Sequence, residues 1–250
     1  MHDFVTGIRS TLRPRAGDPH GPLPPLLLAL TAVTGMVDAF SYLVLGHVFV
    51  ANMTGNVVFL AFALVGARGF SITAVVLALG AFAAGALAGG RVARVQNHRA
   101  RLLGTCTAAQ GALVAAGVVV AALQGATLRA PAHDALIAVL GAAMGLQNAA
   151  ARALAVPDLT TTVLTLTITG LAADSQSARP AGTAAGRRSL SVLVMFAGAL
   201  VGAACVVHGR RSVDLGAALA VVVAVGAPRA VRDPERAQPP APEPVPPVPG

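Results

Sequence analysis

GMVDAFSYLVLGHVFVANMTGNVVFLA, residues 35–61, decides how this chain is read. It opens inside an apolar run that begins at Leu26, places a carboxylate, Asp38, deep in that run, and then breaks at Asn52-Met53-Thr54-Gly55-Asn56. Acids are rare at the centre of an apolar helix because burying one costs about 2.5–3.5 kcal/mol on insertion scales. An interrupted helix in hydrocarbon is tolerated only inside protein or along a watery cavity. Both features belong to a protein that lives in a bilayer.

Composition agrees. Hydrophobic residues make up 55% of the 250 and charged residues 11%, against about 25% charged in soluble domains. Mean hydropathy is +0.73. Every one of the 18 basic residues is Arg, set against 10 acids for a net charge of +8. These Arg residues lie between apolar runs or in the termini, with no Trp and one Tyr, so they do not form the clustered basic face of a nucleic-acid binder. Arg-rich, Ala-rich, Lys-free usage fits a GC-rich bacterial genome.

Eight apolar runs are candidates to cross: 26–46, 50–67, 71–90, 102–123, 135–155, 159–174, 190–208 and 213–227. A crossing needs about 20 residues, and the runs at 50–67 and 159–174 are short and polar. If all eight cross with the N-terminus inside, 11 Arg fall inside and seven outside; if those two enter without crossing, the split is 14 and four. The positive-inside rule prefers the second arrangement. The fold expected is therefore an all-α integral membrane protein with six full transmembrane helices and two short re-entrant or broken segments, eight spans being the alternative. Residues 1–25 read as a cytoplasmic N-terminal tail, 26–227 as the transmembrane domain, and 228–250, with nine prolines, as a disordered tail. Nothing in 1–25 resembles a signal-peptide apolar core, so the run from Leu26 is expected to be retained. Both termini are placed in the cytoplasm, at the bacterial inner membrane.

Residues 145–172, GLQNAAARALAVPDLTTTVLTLTITGLA, echo the opening stretch. A Gly is followed three residues later by Asp38 or Asn148, then by a short polar segment, then by a span with a Gly-x-x-x-Gly pair, Gly85/Gly89 or Gly198/Gly202. Three crossings per half, about 26–123 and 133–227, would make the repeat inverted, and paired broken segments mark the midplane site in many transporters.

The blocks TGMVDAFSYLVLGHVFVANMTGN (34–56) and GLQNAAARALAVPDLTTTVLT (145–165) resemble the YoaK-like family of bacterial membrane proteins, a domain of unknown function. The resemblance covers roughly 26–227 and implies a multi-spanning protein, with no activity, cofactor or catalytic residue attached. One departure is that the second block often continues Thr-Gly in the family, whereas Thr165 here is followed by Leu166.

Candidate site residues follow from polarity within spans. Asp38, the one acid that reads as deep within a span, is a proton carrier or cation ligand, with Thr31, Thr34 and Tyr42 on its helical face as possible partners. Alternatively it is a hydrogen-bonded link between helices. Asn52, Thr54 and Asn56 border a half-helix end able to meet an ion, or they stitch a tight crossing. Gln147 and Asn148, being adjacent, point in different directions. Thr161, Thr165 and Thr169 share a face that could line a polar path, though threonines also bond back to their own helix. Asp158, after Pro157, reads as a helix N-cap. The Gly-x-x-x-Gly pairs read as packing devices. Cys106 and Cys205 are too isolated for a metal site, His47 and His133 read as solvated rim residues, and no catalytic motif is present, so no enzyme, metal or cofactor is expected. The favoured function is a secondary transporter or permease for a small solute or ion, possible as a homo-oligomer. The alternative is a non-transporting assembly, lipid-binding or regulatory membrane protein.

Overall fold

A computed structural model describes residues 2–14, 18, 20–124, 129–157, 169 and 182–227. Among them lie eight helices and no strand: α1 (His2–Leu12), α2 (Leu23–Val44), α3 (Met53–Leu64), α4 (Ile72–Val95), α5 (Arg99–Gln124), α6 (Ala130–Leu154), α7 (Gly182–Val207) and α8 (Arg211–Gly226). Five helices, α2, α4, α5, α6 and the 185–207 part of α7, are long and apolar enough to cross a membrane. The apolar helices α3 and α8 are shorter, roughly 18 and 24 Å at 1.5 Å per residue. Residues 2–12, expected as part of a tail, instead form α1, which lies along α7.

Local chemistry sets the helix ends. Prolines occupy the first turns of α2 and α6, where a missing N–H costs nothing. Ser71 caps α4 by accepting from the Ala74 amide at 3.3 Å. Gly46 (φ 73°) and His47 (φ 58°) are consecutive left-handed residues that turn the chain back after α2.

The bundle is built on glycine crossings. A Cβ at Gly35 would fall on the Met195 carbonyl and 2.7 Å from the Ala199 amide; one at Gly198 would fall on the Ala32 carbonyl; one at Gly202 would stand 2.8 Å from the Met36 carbonyl. These contacts seat α2 against α7 with the two helices running in the same direction. The crossing of α4 with α6 repeats them. Gly145 meets the Phe82 carbonyl and the Ala86 amide, Gly85 meets the Ala142 carbonyl, and Gly89 stands 3.1 Å from the Leu146 carbonyl. Without a hydrophobic force between helices in lipid, such backbone approach is what holds them. Helices α5 and α8 run antiparallel, Gly226 lying over Thr107 and Gly111 near Val222. The most apolar windows of α2 and α6 are 67% and 61% buried and that of α7 is 17%, so α2 and α6 form the centre and α7 an outer wall.

Candidate functional site

After the Gly46–His47 reversal, residues 48–52 fold back along α2 toward Asp38. The Asp38 Oδ1 accepts the backbone N–H groups of Val50 (3.1 Å) and Ala51 (2.8 Å), and the side chain is buried. A carboxylate taking two amide donors is a strong local tether, because each bond is charge-assisted. The fully buried Asn56 adds a second one. The Phe49 amide donates to its Oδ1 at 2.9 Å, and its Nδ2 donates to the Phe49 carbonyl at 2.6 Å. The side-chain amide thus pairs with Phe49 much as a neighbouring strand would. Asn52 caps α3 by accepting from the Gly55 amide at 3.4 Å. Gly55 must remain small, since a Cβ there would stand 2.9 Å from the Phe49 ring. Aromatic stacking closes the return: Tyr42 on Phe49, Phe49 on Phe59 and Phe59 against Phe70, with ring centroids 5.1, 5.6 and 5.2 Å apart.

Asp38, Asn52, Tyr42 and Phe49 line one side of a cleft whose other wall is Met195 and Ala199 of α7. The cleft therefore brings together Asp38 and Asn52. Asn56 sits behind it on Phe49, and Thr54 is exposed in the first turn of α3.

The partners expected for Asp38 on its own helix do not serve it. Thr31 and Thr34 donate back to the Leu27 (2.9 Å) and Leu30 (3.1 Å) carbonyls, the usual self-satisfaction of a buried helical threonine. Tyr42 stacks on Phe49 instead. Gln147 takes part in a separate centre: its Nε2 donates to Thr34 Oγ1 (2.7 Å) and to the Leu30 carbonyl (3.2 Å), and its Oε1 accepts from Gln110 Nε2 (2.6 Å). Asn148 donates to the Met144 carbonyl of its own helix at 3.0 Å. Thr169 is exposed, whereas Asp158, Thr161 and Thr165 lie outside the described residues.

Two residues of the interior were not anticipated from the sequence. Gln110, a lone amide in the 102–123 run, joins α5 to α6 through Gln147. Asp214 is fully buried, so Asp38 is not the only acid inside the bundle. Asp214 is the second residue of the 213–227 apolar run, and because the helix begins at Arg211 it falls in the first turn of α8. Among the described residues no three His, Cys, Asp or Glu side chains gather as metal ligands.

The amide chain makes a specific prediction. Gln147→Leu strands the Gln110 amide in an apolar interior and should lower stability by about 1–3 kcal/mol. The double variant Gln110→Leu/Gln147→Leu removes both partners and should recover most of that loss in thermal melts.

Residues 26–226 match the family model described as "Protein of unknown function (DUF1275)". Over 151 residues the chain is 36% identical to the UPF0700 transmembrane protein YoaK of Bacillus subtilis strain 168, an alignment covering 59% of this chain and 64% of that protein. The chain thus spans just under two thirds of that relative. No solved structure matches.

Proposed function

The chain belongs to the DUF1275 family of proteins of unknown function, and from that footing we propose that it is a secondary transporter or permease for a small solute in the bacterial cell membrane. The observation that carries this reading is the chain's return at residues 45–56, held on Asp38 and Asn56 beside a cleft between α2 and α7. Broken-helix transporters place half-helix ends at the midplane site that meets the solute or ion, and the α3 N-terminus, capped by Asn52, stands beside the cleft that Asp38 and Asn52 line.

Helix directions support six crossings with two re-entrant segments. Gln110 meets Gln147 and Gly117 meets Leu140, so α5 and α6 are antiparallel, and the short 96–98 and 208–210 connections reverse α4 into α5 and α7 into α8. With α4 parallel to α6, α2 parallel to α7 and α5 antiparallel to α8, α2 must run opposite to α4. The segment holding α3 then returns to the side it left, and α7 starts on the side where α6 ends. This arrangement is also the one that keeps 14 of the 18 Arg on one side.

The matched glycine crossings support an inverted repeat. Residues 32, 35 and 36 of α2 correspond to 142, 145 and 146 of α6, and 195, 198, 199 and 202 of α7 to 82, 85, 86 and 89 of α4. Opposite directions of α2 and α6 make the two halves antiparallel.

The test is uptake of a solute panel into proteoliposomes by wild type and by Asp38→Asn. The expected result is uptake of at least one solute by wild type that Asp38→Asn reduces at least tenfold, a loss of about 1.4 kcal/mol or more of stabilisation. Absence of wild-type uptake across the panel would favour the second reading, a non-transporting protein whose polar groups join helices. The specific observation on that side is the Gln110–Gln147–Thr34 chain, which is spent on helix contacts away from the cleft.

A further inference from the structure

The cleft between α2 and α7 has a chemistry that selects among solutes. Its volume is about 300 Å³, at the small end of the roughly 300–1,000 Å³ typical of ligand pockets. Met195 and Ala199 form the α7 wall, Ala39 and Leu43 continue the α2 wall, and Phe49 closes the return. Leu43 and Asn52 are exposed, so the cleft is open on their side. Its polar lining residues are Asp38, Asn52 and Tyr42, and among the described residues no Arg or His lines it.

Asp38 keeps acceptor capacity for an occupant. The side chain is 5% exposed, and its hydrogen bonds from Val50 and Ala51 both end on Oδ1. An ionised carboxylate offers about four acceptor sites. Even with the Asn52 amide close by, Oδ2 retains free sites, and it is not one of the sealed, unpartnered oxygens of the interior. The donors at the start of α3 are already used: Asn52 takes the Gly55 amide, and Asp38 takes those of Val50 and Ala51. What the cleft presents is therefore an acceptor of negative charge surrounded by carbon.

That combination excludes several classes of solute. An anion would meet the Asp38 charge with no cationic side chain to offset it. A sugar would bury hydroxyl groups against aliphatic walls and leave them unpaired. A calcium or magnesium ion takes six or more oxygens, more than one carboxylate, one amide and one phenol provide. A cationic head on an apolar body satisfies both the carboxylate and the walls.

The matching crossing of α4 with α6 lacks this character. Asn148 stands at the place of Asp38 and donates its amide to the Met144 carbonyl of its own helix, and Arg152 stands at the place of Tyr42. Packing at such a crossing does not require an acid, and the negative charge belongs to one half of the repeat.

We propose that the cleft binds a small organic cation, an amine or ammonium group carried on an apolar body, with the charged head at Asp38 Oδ2 and the body between Phe49 and the Met195–Ala199 wall. This names the solute class for the transport reading and rests on it in taking the cleft as the solute site.

The test measures binding to the full chain in lipid nanodiscs, corrected against empty nanodiscs, of phenethylamine, 2-phenylethanol and 3-phenylpropionate. These probes carry the same phenyl ring and differ in the charge of the head: positive, neutral and negative. Wild type should bind the amine at least tenfold more tightly than the alcohol and show no binding of the carboxylate. In Asp38→Asn the amine should fall to the level of the alcohol. Ala199→Leu, which fills the cleft from α7 and leaves Asp38 intact, should lose the amine and the alcohol alike, and it serves if Asp38→Asn fails to fold. Equal binding of amine and alcohol by wild type overturns the proposal, as does binding of the carboxylate, an amine preference that survives in Asp38→Asn, or amine binding unaffected by Ala199→Leu. Uptake separates the two readings. Amine binding without uptake of any solute retires transport and leaves the cation site standing. Uptake of an anion or a sugar that Asp38→Asn abolishes, with no amine binding, retires the cation site and leaves transport standing.

Discussion

Gly85→Ala is expected to open the bundle. The added methyl would fall on the Ala142 carbonyl oxygen, a backbone atom of a packed helix, so α4 and α6 must move apart along their whole contact. Overpacking into side chains typically costs 1–3 kcal/mol. Here no flexible side chain can yield, and a loss of about 3 kcal/mol or more is expected. The control is Gly90→Ala, five residues along α4, where a Cβ meets nothing within 4 Å. That variant should be neutral or gain up to about 1 kcal/mol from helix propensity. Thermal unfolding and size-exclusion profiles in detergent distinguish the two; equal behaviour would mean that α4 and α6 are not in backbone contact.

Asp38→Ala is expected to destabilise the protein by about 3–5 kcal/mol, because two backbone donors, those of Val50 and Ala51, lose their acceptor in the interior. Asp38→Asn keeps one oxygen facing the same donors and should lose clearly less. The difference separates tethering from chemistry: loss of uptake in a well-folded Asp38→Asn assigns the charge a role beyond holding the loop. Hydrogen exchange at residues 48–52 is the direct measure, and unchanged protection in Asp38→Ala would refute the tether.

Much of the architecture was legible because bilayer thickness imposes a length on each apolar run, and α2, α4, α5 and α6 follow those runs closely. The shortness of 50–67 was equally readable and reappears as the 12-residue α3. Asp38 stood out because charge in hydrocarbon is costly, but its partners did not. They are backbone amides brought to it by two left-handed residues, one of which is not glycine, and no side-chain pattern announces amides. Gln110 escaped notice because one amide in an apolar run has no periodicity. Helix α1 turns Gly7 and Thr11 inward while Val5 and Leu12 stay exposed, so no apolar stripe among the arginines and prolines of 1–25 announces it.

The pairing of α2 with α7 and of α4 with α6 has a consequence for how the protein is made. Each glycine crossing joins one half of the chain to the other, so neither half contains a complete crossing. As the ribosome extends the chain, α2 waits in lipid for a partner that starts at Gly182, while Asp38 finds its own amides only 12 and 13 residues downstream. The acid gains its hydrogen-bond donors locally and early, and the crossings form late. A gene divided between α5 and α6 should therefore yield two fragments that are unstable alone and restore the bundle when synthesised together.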